Sequence, residues 1–402
     1  MPRHFLEIHI LQPFPLSCIN RDDAGLPKTA PIGGDQRAYW SSQSQKRGVR
    51  QGFRKALGED STSVRTRRIP INTVKTLVER GREDAEAVRA TLSAFAVLGY
   101  SIVAAKDLDE DAEPVAHAVN PQIWLKSSGR TSVVLPIANT APQDLADVIE
   151  ANWEDLLAAT TIKGGTKADH AVKVSAELKK QVGPALRRVM DPARLVDVAL
   201  FGRMLTEAPE DTVEAAASVA HAMTTHADES QADFWVATDD DPTQGHGGSA
   251  NMGVQVFNSG LFYRYATVNT TDLAAGPLAA DPFAARKGAM TFLEQFARLR
   301  PAAMEHRTAP YTDPSLVLVV ASDLPRMFTD AFSDSVRDTY LTGSVQRLQE
   351  TWNTWRRAYG DELEAFLLLA HPDVEGFDFD GARSCTTLDE ALDRAMEAAF
   401  DA

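Results

Sequence analysis

The sequence predicts an α+β protein in which a ferredoxin-like (RRM-like) unit carries a helical insertion and a β-hairpin. Short segments with alternating or β-branched residues, typical of strands, are separated by long segments rich in Ala, Leu and Glu, typical of helices. Without the insertions, the elements follow the order strand, helix, strand, strand, helix, strand, which defines a ferredoxin-like unit. The 402 residues, 44% of them hydrophobic, can bury a large core in more than one domain.

The N-terminal segment predicts a strand, a long loop and a helix. Residues 5–11 alternate between two faces, as a strand does, and residues 12–40 contain repeated Gly and Pro turn signals that predict a loop. Ser41 has the position of an N-cap, and the residues after it separate into a polar and an apolar stripe. The apolar stripe, expected to face a core, comprises Val49, Phe53, Ala56 and Leu57.

The rest of the chain predicts a helical insertion followed by mixed elements. Residues 72–98 and 142–187 have the composition and spacing of helices. A second strand is predicted at residues 195–200 and an Ala-rich helix at residues 213–226. The remaining predictions are a hairpin over 228–260, strands at 261–268, 316–320 and 366–369, and helices at 282–299, 325–357 and 387–400.

Charge is distributed unevenly along this acidic chain. The formal net charge of −15 by itself argues against a nucleic-acid partner. However, residues 1–68 carry 12 Lys and Arg against 6 Asp and Glu, so the net charge is +6 there and −21 in the remainder. A basic strip confined to one segment can bind a polyanion locally. A solvated charged helix on an acidic enzyme would give the same pattern.

The basic residues of this segment concentrate on the helix that begins near Ser41. A serine N-cap leaves first-turn N–H groups and the positive end of the helix dipole available to an anion. Together with the polar face, this predicts a phosphate-binding surface. That face, at 3.6 residues per turn, gathers Gln43, Lys46, Arg47, Arg50 and Arg54.

Signatures of enzymes and metal sites are scarce. The glycine tract at residues 245–249 lacks the ending of a phosphate-binding loop. His221 and His226 are five residues apart and so roughly 140° apart on a helix, not on the single face that a metal needs. The aspartates at 22–23 and 239–241 lack the pattern of a calcium loop. We therefore expect no catalytic activity, no metal and no cofactor.

Cysteine usage and hydropathy indicate a cytoplasmic protein. Cys18 and Cys385 match neither a disulfide framework nor a metal motif, which agrees with a reducing compartment. No apolar stretch is long enough to span a membrane, and residues 1–10 lack the apolar core of a signal peptide. We expect no membrane partner.

Phe234 and Trp235 are adjacent aromatic residues on the first strand of the predicted hairpin. Because neighbouring strand residues point to opposite faces, at least one ring would be exposed unless something covers it. The cover could be a nucleic-acid base or a neighbouring subunit, and packing into the core is the alternative. The glycine-rich tip, residues 243–250, is expected to have low order in an isolated subunit.

Several segments together resemble one family, the CasC-type backbone subunit of the type I-E CRISPR surveillance complex, Cascade. They occur in family order between residues 5 and 325 and are specific as a set. The matching segments are residues 17–23, 33–34 and 41–44, then Lys46, Arg47 and Arg50, then residues 65–66, 199–200, 202–204, 218–222, 224–226 and 259–265.

The resemblance implies a right-hand-shaped protein with an RRM-like palm, helical fingers and a β-hairpin thumb. The expected boundaries are 1–60 for the first part of the palm, 61–194 for the fingers, 195–227 for a further palm segment, 228–260 for the thumb, and 261–402 for the completion of the palm with C-terminal helices.

The resemblance also implies a non-catalytic scaffold that oligomerises along a crRNA guide, grips its phosphate backbone and displaces bases at regular intervals. Expected partners are the crRNA, target DNA through the guide, other copies of the chain, and the large, small and guide-end-capping Cascade subunits. Backbone contacts are independent of sequence, so one protein can hold any guide. The residues expected to bind RNA are Arg21, Lys28, Ser41, Ser42, Gln43, Lys46, Arg47, Arg50, Arg65, Arg203, Met204, Phe234 and Trp235.

This chain departs from the family in two places, and one alternative function is open. Residues 35–40 are less basic than usual, and the thumb has Phe-Trp where Trp-Phe is familiar. The alternative is a metal-dependent, RNA-cleaving subunit, as in type III complexes, that uses Asp22 or Asp23. The sequence places no base and no third ligand beside these aspartates, which favours the scaffold.

Overall fold

The computed structural model describes two compact units, and each is considered by itself. The first comprises Met1–Ala56 and Ala216–Ala402, and the second comprises Leu57–Ala215. The hairpin tip and the aspartates at 239–241 lie outside the described residues. The described residues are 3–100, 102–103, 129–158, 161–163, 171–204, 212–238, 251–276, 278–360 and 362–401.

The described elements are numbered in chain order. The strands are β1 (Phe5–Ser17), β2 (Thr29–Ile32), β3 (Asp35–Trp40), β4 (Val64–Thr66), β5 (Ile102–Val103), β6 (Arg130–Thr131), β7 (Leu135–Ile137), β8 (Thr161–Lys163), β9 (Ala171–Lys173), β10 (Ala217–Val219), β11 (Ala222–Thr224), β12 (Gln231–Ala237), β13 (Asn251–Asn269), β14 (Leu316–Ser322), β15 (Leu363–Leu369) and β16 (Ala382–Cys385). The helices are α1 (Ser42–Leu57), α2 (Ile69–Glu79), α3 (Asp84–Leu98), α4 (Ala141–Ala151), α5 (Trp153–Ala158), α6 (Ala176–Met190), α7 (Val196–Phe201), α8 (Thr270–Ala275), α9 (Pro282–Ala297), α10 (Glu305–Thr308), α11 (Tyr340–Tyr359) and α12 (Leu388–Phe400), with 3₁₀ turns at Thr329–Phe332 and Pro372–Val374.

The first unit contains one large mixed sheet, which confirms the predicted α+β class. Its order is β16-β15-β14-β1-β13-β11-β3-β2, with β10 and β12 also paired to β13. Among these pairings only β15 with β16 is parallel. The central strands β14, β1, β13 and β11 are joined through α1 and α9 as in a ferredoxin-like unit.

Helices cover both faces of this sheet, so its central strands are buried on both sides. On one face Leu11, Tyr263 and Leu318 pack in a core with Trp352 of α11. On the other face Arg264 donates hydrogen bonds to Gln45 of α1 and to the Phe296 carbonyl of α9. This double cover explains why the whole of β14 is buried.

Two polar side chains of β1 are buried in the α11-side core. The Glu7 carboxylate accepts hydrogen bonds from the Tyr265 hydroxyl at 2.7 Å, from Ser322 Oγ at 2.6 Å and from the Arg326 backbone N–H at 2.5 Å. Burial raises the pKa of Glu7. Burial also lowers the pKa of His9 to about 3, so its ring is neutral at ordinary pH.

Two predicted elements are wrong in type. Residues 195–200 form most of helix α7 rather than a strand, and the Asp197 carboxylate in it accepts hydrogen bonds from the Ser63 N–H and hydroxyl. Residues 213–226 contain strands β10 and β11 rather than a helix, because they pair with β13 and this pairing overrides the helical propensity of alanine. Residues 195–215 group with the second unit.

Other predictions are wrong in extent. The predicted loop 12–40 contains the end of β1 and the hairpin of β2 and β3, which turns at Gly33 and Gly34 with φ of 61° and 84°. The helix predicted at 325–357 begins only at Tyr340. Strand β16 was not predicted, and the hairpin's return strand and the central strand are one continuous strand, β13.

The second unit is built mainly of helices, as predicted for residues 72–98 and 142–187. Helices α2, α3, α4, α5 and α6 bury a core that includes Phe95, Leu145 and Leu186. Three two-stranded ribbons accompany them, β4 with β7, β5 with β6 and β8 with β9. No helix among the described residues is long and apolar enough to cross a membrane.

Candidate nucleic-acid interface

Helix α1 is held to the first unit by one buried stripe. Its members Gln45, Val49 and Phe53 follow an i, i+4, i+8 spacing and are fully buried. Val49 and Phe53 were predicted for this stripe, whereas Ala56 is exposed and Leu57 half-buried. The stripe therefore ends one turn earlier than the sequence predicts.

Backbone N–H groups in the first turn of α1 donate hydrogen bonds to other groups of the protein. The Ser41 hydroxyl accepts a hydrogen bond from the Ser44 N–H at 3.4 Å, which confirms the predicted N-cap. The Ser42 N–H donates to His221 Nδ1 at 3.1 Å. Contrary to expectation, these two amides are therefore not offered to an anion. The side chains of α1 are the groups able to meet one.

A buried hydrogen-bond network fixes α1 beside the sheet. Gln45 Nε2 donates to the carbonyls of Trp40 at 3.1 Å and Ala220 at 3.0 Å. Arg264 donates to Gln45 Oε1 at 3.3 Å, and its guanidinium lies 5.3 Å from the Trp40 ring and 4.4 Å from the Phe296 ring. Because Gln45 is bonded to the end of β3, to Ala220 and to Arg264 of β13, these contacts fix the position of α1 relative to the sheet.

Two glycines bring α1 close to the end of α9. A Cβ on Gly48 would lie 2.5 Å from Leu299 Cδ1, and one on Gly52 would lie 2.0 Å from Gln295 Oε1. A larger residue at either position would require the Leu299 or Gln295 side chain to move. The close approach makes α1 one wall of a cleft of about 900 Å³.

The cleft collects cations from separate parts of the chain. Its basic lining residues are Arg21, Arg47, Lys55, Arg298 and Arg300. Arg298 is paired with Asp389 at 2.9 Å, and Arg300 with Asp313 at 3.2 Å. Within the described part of the chain, Arg21, Arg47 and Lys55 make no ion pair. These three cations can therefore meet an anionic ligand without losing a protein partner.

The predicted basic face of α1 is divided into two edges. Arg47 lies on the cleft edge with Gln51 and Lys55, whereas Lys46 and Arg50 are not among the residues that line the cleft. Successive helical residues differ by about 100°, which places Lys46 and Arg50 toward the opposite side. Both are half-buried and have interactions of their own, and Gln43 is exposed.

The segment that departs from the family pattern has a structural role. Arg37 is fully buried and donates to the carbonyls of Thr224 at 2.9 Å and Phe332 at 3.1 Å. Tyr39 is half-buried, with Lys28 Nζ 5.7 Å from its ring and the His221 ring 5.8 Å away. Lys28 is thus held near the start of α1, and the segment's own arginine faces the core.

Three of the predicted RNA-binding residues belong to the second unit. Arg65 on β4 is exposed, and the Met204 side chain is 84% exposed. Arg203 is only 5% exposed, since it donates to the Met190 carbonyl and the Tyr100 hydroxyl, both at 3.0 Å. Its burial gives it a structural role and does not support the predicted contact with RNA.

The β12–β13 hairpin has one apolar face that is exposed. Phe234 is opposite Val254 and Val236 is opposite Met252, so the four side chains share a face. Their exposed fractions are 61%, 63%, 40% and 63% in that order. This exposure excludes the alternative that Phe234 packs into the core.

Trp235 lies on the other face of the hairpin, as the alternation predicts. It is opposite Gly253, and a Cβ there would lie 2.9 Å from Trp235 Cζ2, so the ring covers the glycine backbone. Trp235 is 41% exposed. Residues 228–260 carry six carboxylates and no Lys or Arg, so this hairpin cannot neutralise phosphates.

Asp22 has a local structural role. Its carboxylate accepts a hydrogen bond from the Leu26 N–H at 2.8 Å, which closes a turn. The described residues contain no group of three or more His, Cys, Asp or Glu side chains that could hold a metal ion. Asp22 and Asp23 line the basic cleft as part of that turn.

A sequence profile of the CT1975-like protein family matches residues 6–394. The chain belongs to the CT1975-like family. A search of curated proteins finds no significant match.

Solved structures similar to this CT1975-like chain include chains of two CRISPR assemblies. One is described as a CRISPR RNA-guided surveillance complex, pre-nicking, with 29% identity, a TM-score of 0.79 and coverage of 98% of this chain and 100% of that chain. Another, described as a CRISPR RNA-guided surveillance complex, has 26% identity, a TM-score of 0.70 and the same coverage. The similarity extends over both units.

Sequence reasoning missed several residues of the cleft in this CT1975-like protein. Gln51 and Lys55 follow Arg47 at i+4 and i+8, so helical spacing contained the signal for them. Arg298 and Arg300 follow the end of α9, and no local pattern connects them to α1. Their place in the cleft depends on the packing at Gly48 and Gly52.

Proposed function

We propose that this CT1975-like protein is the crRNA-binding backbone subunit of a type I-E Cascade complex. In this role it oligomerises along the guide, holds its phosphate backbone and displaces bases at regular intervals, so that the guide can pair with target DNA in antiviral defence. The observation that carries the proposal is the convergence of Arg21, Arg47 and Lys55, which make no ion pair with any described residue, at one cleft of a protein with net charge −15.

The two edges of α1 suit a flexible polyanion. Phosphates along a single strand can meet Arg47 and Lys55 on one edge and Lys46 and Arg50 on the other. Such contacts neutralise backbone charge and leave the base edges free for pairing. Sequence-independent binding follows, which a subunit that serves any guide requires.

The thumb hairpin contributes a different chemistry. Because it has no Lys or Arg, it does not compete with α1 for phosphates, and its exposed Phe234 face suits the apolar face of a base. We place Phe234 as the wedge and Trp235 as a support that stiffens the ribbon over Gly253. The exposed Met204 would contact bases from the second unit.

The proposed assembly contains several copies of this chain, the crRNA, the target strand through the guide, and the large, small and guide-end-capping subunits. The proposal assigns no catalytic residue and no cofactor. The similar chains come from assemblies described as RNA-guided surveillance complexes, which supports a role within a ribonucleoprotein.

Co-expression with a CRISPR array tests the proposal. We expect the chain to purify as a particle with excess absorbance at 260 nm and a guide that is protected at a regular spacing. Incubation of that particle with matched RNA and Mg²⁺ tests the non-catalytic assignment. Cleavage that is lost in Asp22→Ala or Asp23→Ala would overturn it, and purification free of RNA would overturn the guide-binding role.

A further inference from the structure

The hairpin formed by β12 and the first part of β13 extends from the large sheet of the first unit, and β13 belongs to both. The first part of β13 pairs with β12, and the rest pairs with β1. Strand β12 is exposed along its whole length, so packing against the sheet does not fix the direction of the hairpin. Its direction must be set at its root, near Asn258 and Gly260, where the β1 register shifts.

His226 is buried at this root. Its side chain is 2% exposed, its Nε2 accepts a hydrogen bond from the Leu261 N–H at 3.2 Å, and its Nδ1 lies 2.8 Å from the Ala227 carbonyl. Because Nε2 accepts, the proton is on Nδ1 and is donated to that carbonyl. A Cβ on Gly260 would lie 2.8 Å from Nε2, so the ring contacts the strand where it leaves the sheet.

Tyr340 connects this imidazole to the first residues of the hairpin. Its ring is stacked on His226 with centroids 3.8 Å apart and an interplanar angle of 7°. Its hydroxyl donates to Glu229 Oε1 at 2.6 Å, two residues before β12 begins. The first residue of α11 thus contacts the segment that leads into β12 at two points, and through His226 it is linked to the β13 side of the root.

A backbone contact braces the same root from β3. The Asp228 N–H donates to the Gln36 carbonyl at 2.7 Å, and the Asp228 carboxylate accepts from Asn258 Nδ2 at 3.3 Å. The first bond ties the root to β3, and the second joins the two sides of the hairpin at their base. Neither bond includes the stacked pair on the α11 side. The geometry therefore makes His226 and Tyr340 the main side-chain support on the α11 side.

We propose that His226, Tyr340 and Glu229 form a root clamp that fixes the angle of the hairpin and so places the Phe234 face for base displacement. They are positioning residues, and this role rests on the proposed function of the thumb. None of the three is among the residues to which we assign contacts with RNA. The sequence indicates no role for His226, since its spacing from His221 does not suit a metal site; the clamp gives it one.

The test measures the hairpin angle and the state of the guide separately. Spin labels on Asp233→Cys and Lys287→Cys report the distance from the hairpin to α9, and both parent positions are exposed. The native Cys18 and Cys385 are buried. We expect a narrow distance distribution in the parent, a partly broadened one in Tyr340→Phe, which keeps the stack but loses the hydroxyl bond to Glu229, and a severalfold broader one in Tyr340→Leu.

Nuclease footprints of guide-loaded particles then report base displacement. We expect the regular pattern to be kept by Tyr340→Phe and lost in Tyr340→Leu. An unchanged distance distribution in Tyr340→Leu, or a broad one with an unchanged footprint, would overturn the clamp. If Tyr340→Leu does not fold, Glu229→Ala at an exposed position is expected to broaden the distribution partially, and a parental distribution there would overturn the clamp. Failure of the parent to bind any guide would instead refute the proposed function, since the distance measurement needs no RNA.

Discussion

The salt dependence of RNA binding is the sharpest consequence of the basic cleft. We consider the triple variant Arg21→Gln, Arg47→Gln and Lys55→Gln, which removes the cleft cations that make no ion pair with described residues. Glutamine keeps most of the side-chain length and a polar end. The change therefore removes charge and disturbs packing little.

The magnitude follows from counterion release. Each phosphate contact on a single strand contributes about 0.7 to the slope of log affinity against log salt. Loss of three contacts should reduce the slope by about 2 and weaken binding about fiftyfold at physiological salt, and each single variant should lose about fourfold. Arg300→Gln should change the slope less, because that arginine is already paired with Asp313.

Fluorescence anisotropy with labelled single-stranded RNA over a series of KCl concentrations measures these slopes. Two RNAs of unrelated sequence should lose affinity equally, since backbone contacts carry no sequence information. Lys287→Gln, on an exposed part of α9 that does not line the cleft, is the matched control. A triple variant with the parental slope would refute the assignment of phosphates to this cleft.

Three further predictions test the hairpin, the core and a turn. Phe234→Ala should abolish the regular guide footprint, because it removes the ring that displaces the base. Trp235→Ala should weaken the footprint only partly, because Trp235 packs over Gly253 and supports the ribbon; the reverse ranking would exchange their roles. Because burial lowers the pKa of His9 to about 3, the unfolded chain binds a proton first as pH falls below 6.5. The parent should therefore lose about 2 kcal/mol of unfolding free energy relative to His9→Gln between pH 6.5 and 4.5, as measured by urea denaturation. Gly33→Ala should lower the melting temperature far more than Gly34→Ala, since both have positive φ but a Cβ on Gly33 would lie 1.6 Å from the Ser333 carbonyl oxygen; equal shifts would contradict that contact.

Local sequence patterns predicted those parts of the fold that local interactions determine. The Ser41 cap, the Val49 and Phe53 stripe and the opposite faces of Phe234 and Trp235 follow from helical and strand periodicity, and the structure confirms them. The order of the ferredoxin-like unit also holds, although its second strand is β10 and β11 rather than residues 195–200.

Tertiary contacts determined what the sequence could not predict. The alanine-rich stretch 215–222 favours a helix in isolation, and pairing of β10 and β11 with β13 makes strands of it instead. Arg203 and Arg37 look like surface cations in sequence, yet carbonyl acceptors from distant segments hold both in the core. In the same way, the carboxylates that neutralise Arg298 and Arg300 come from residues 389 and 313.

These pairings show why the content of basic residues alone does not define a nucleic-acid site. An arginine that already contacts a carboxylate gains little from a phosphate, because the new contact replaces an existing one. An arginine without such a partner gains the full release of counterions. The cleft contains both kinds of cation side by side, so the comparison of Arg47→Gln with Arg300→Gln separates charge that is available to a ligand from charge that the fold has already used.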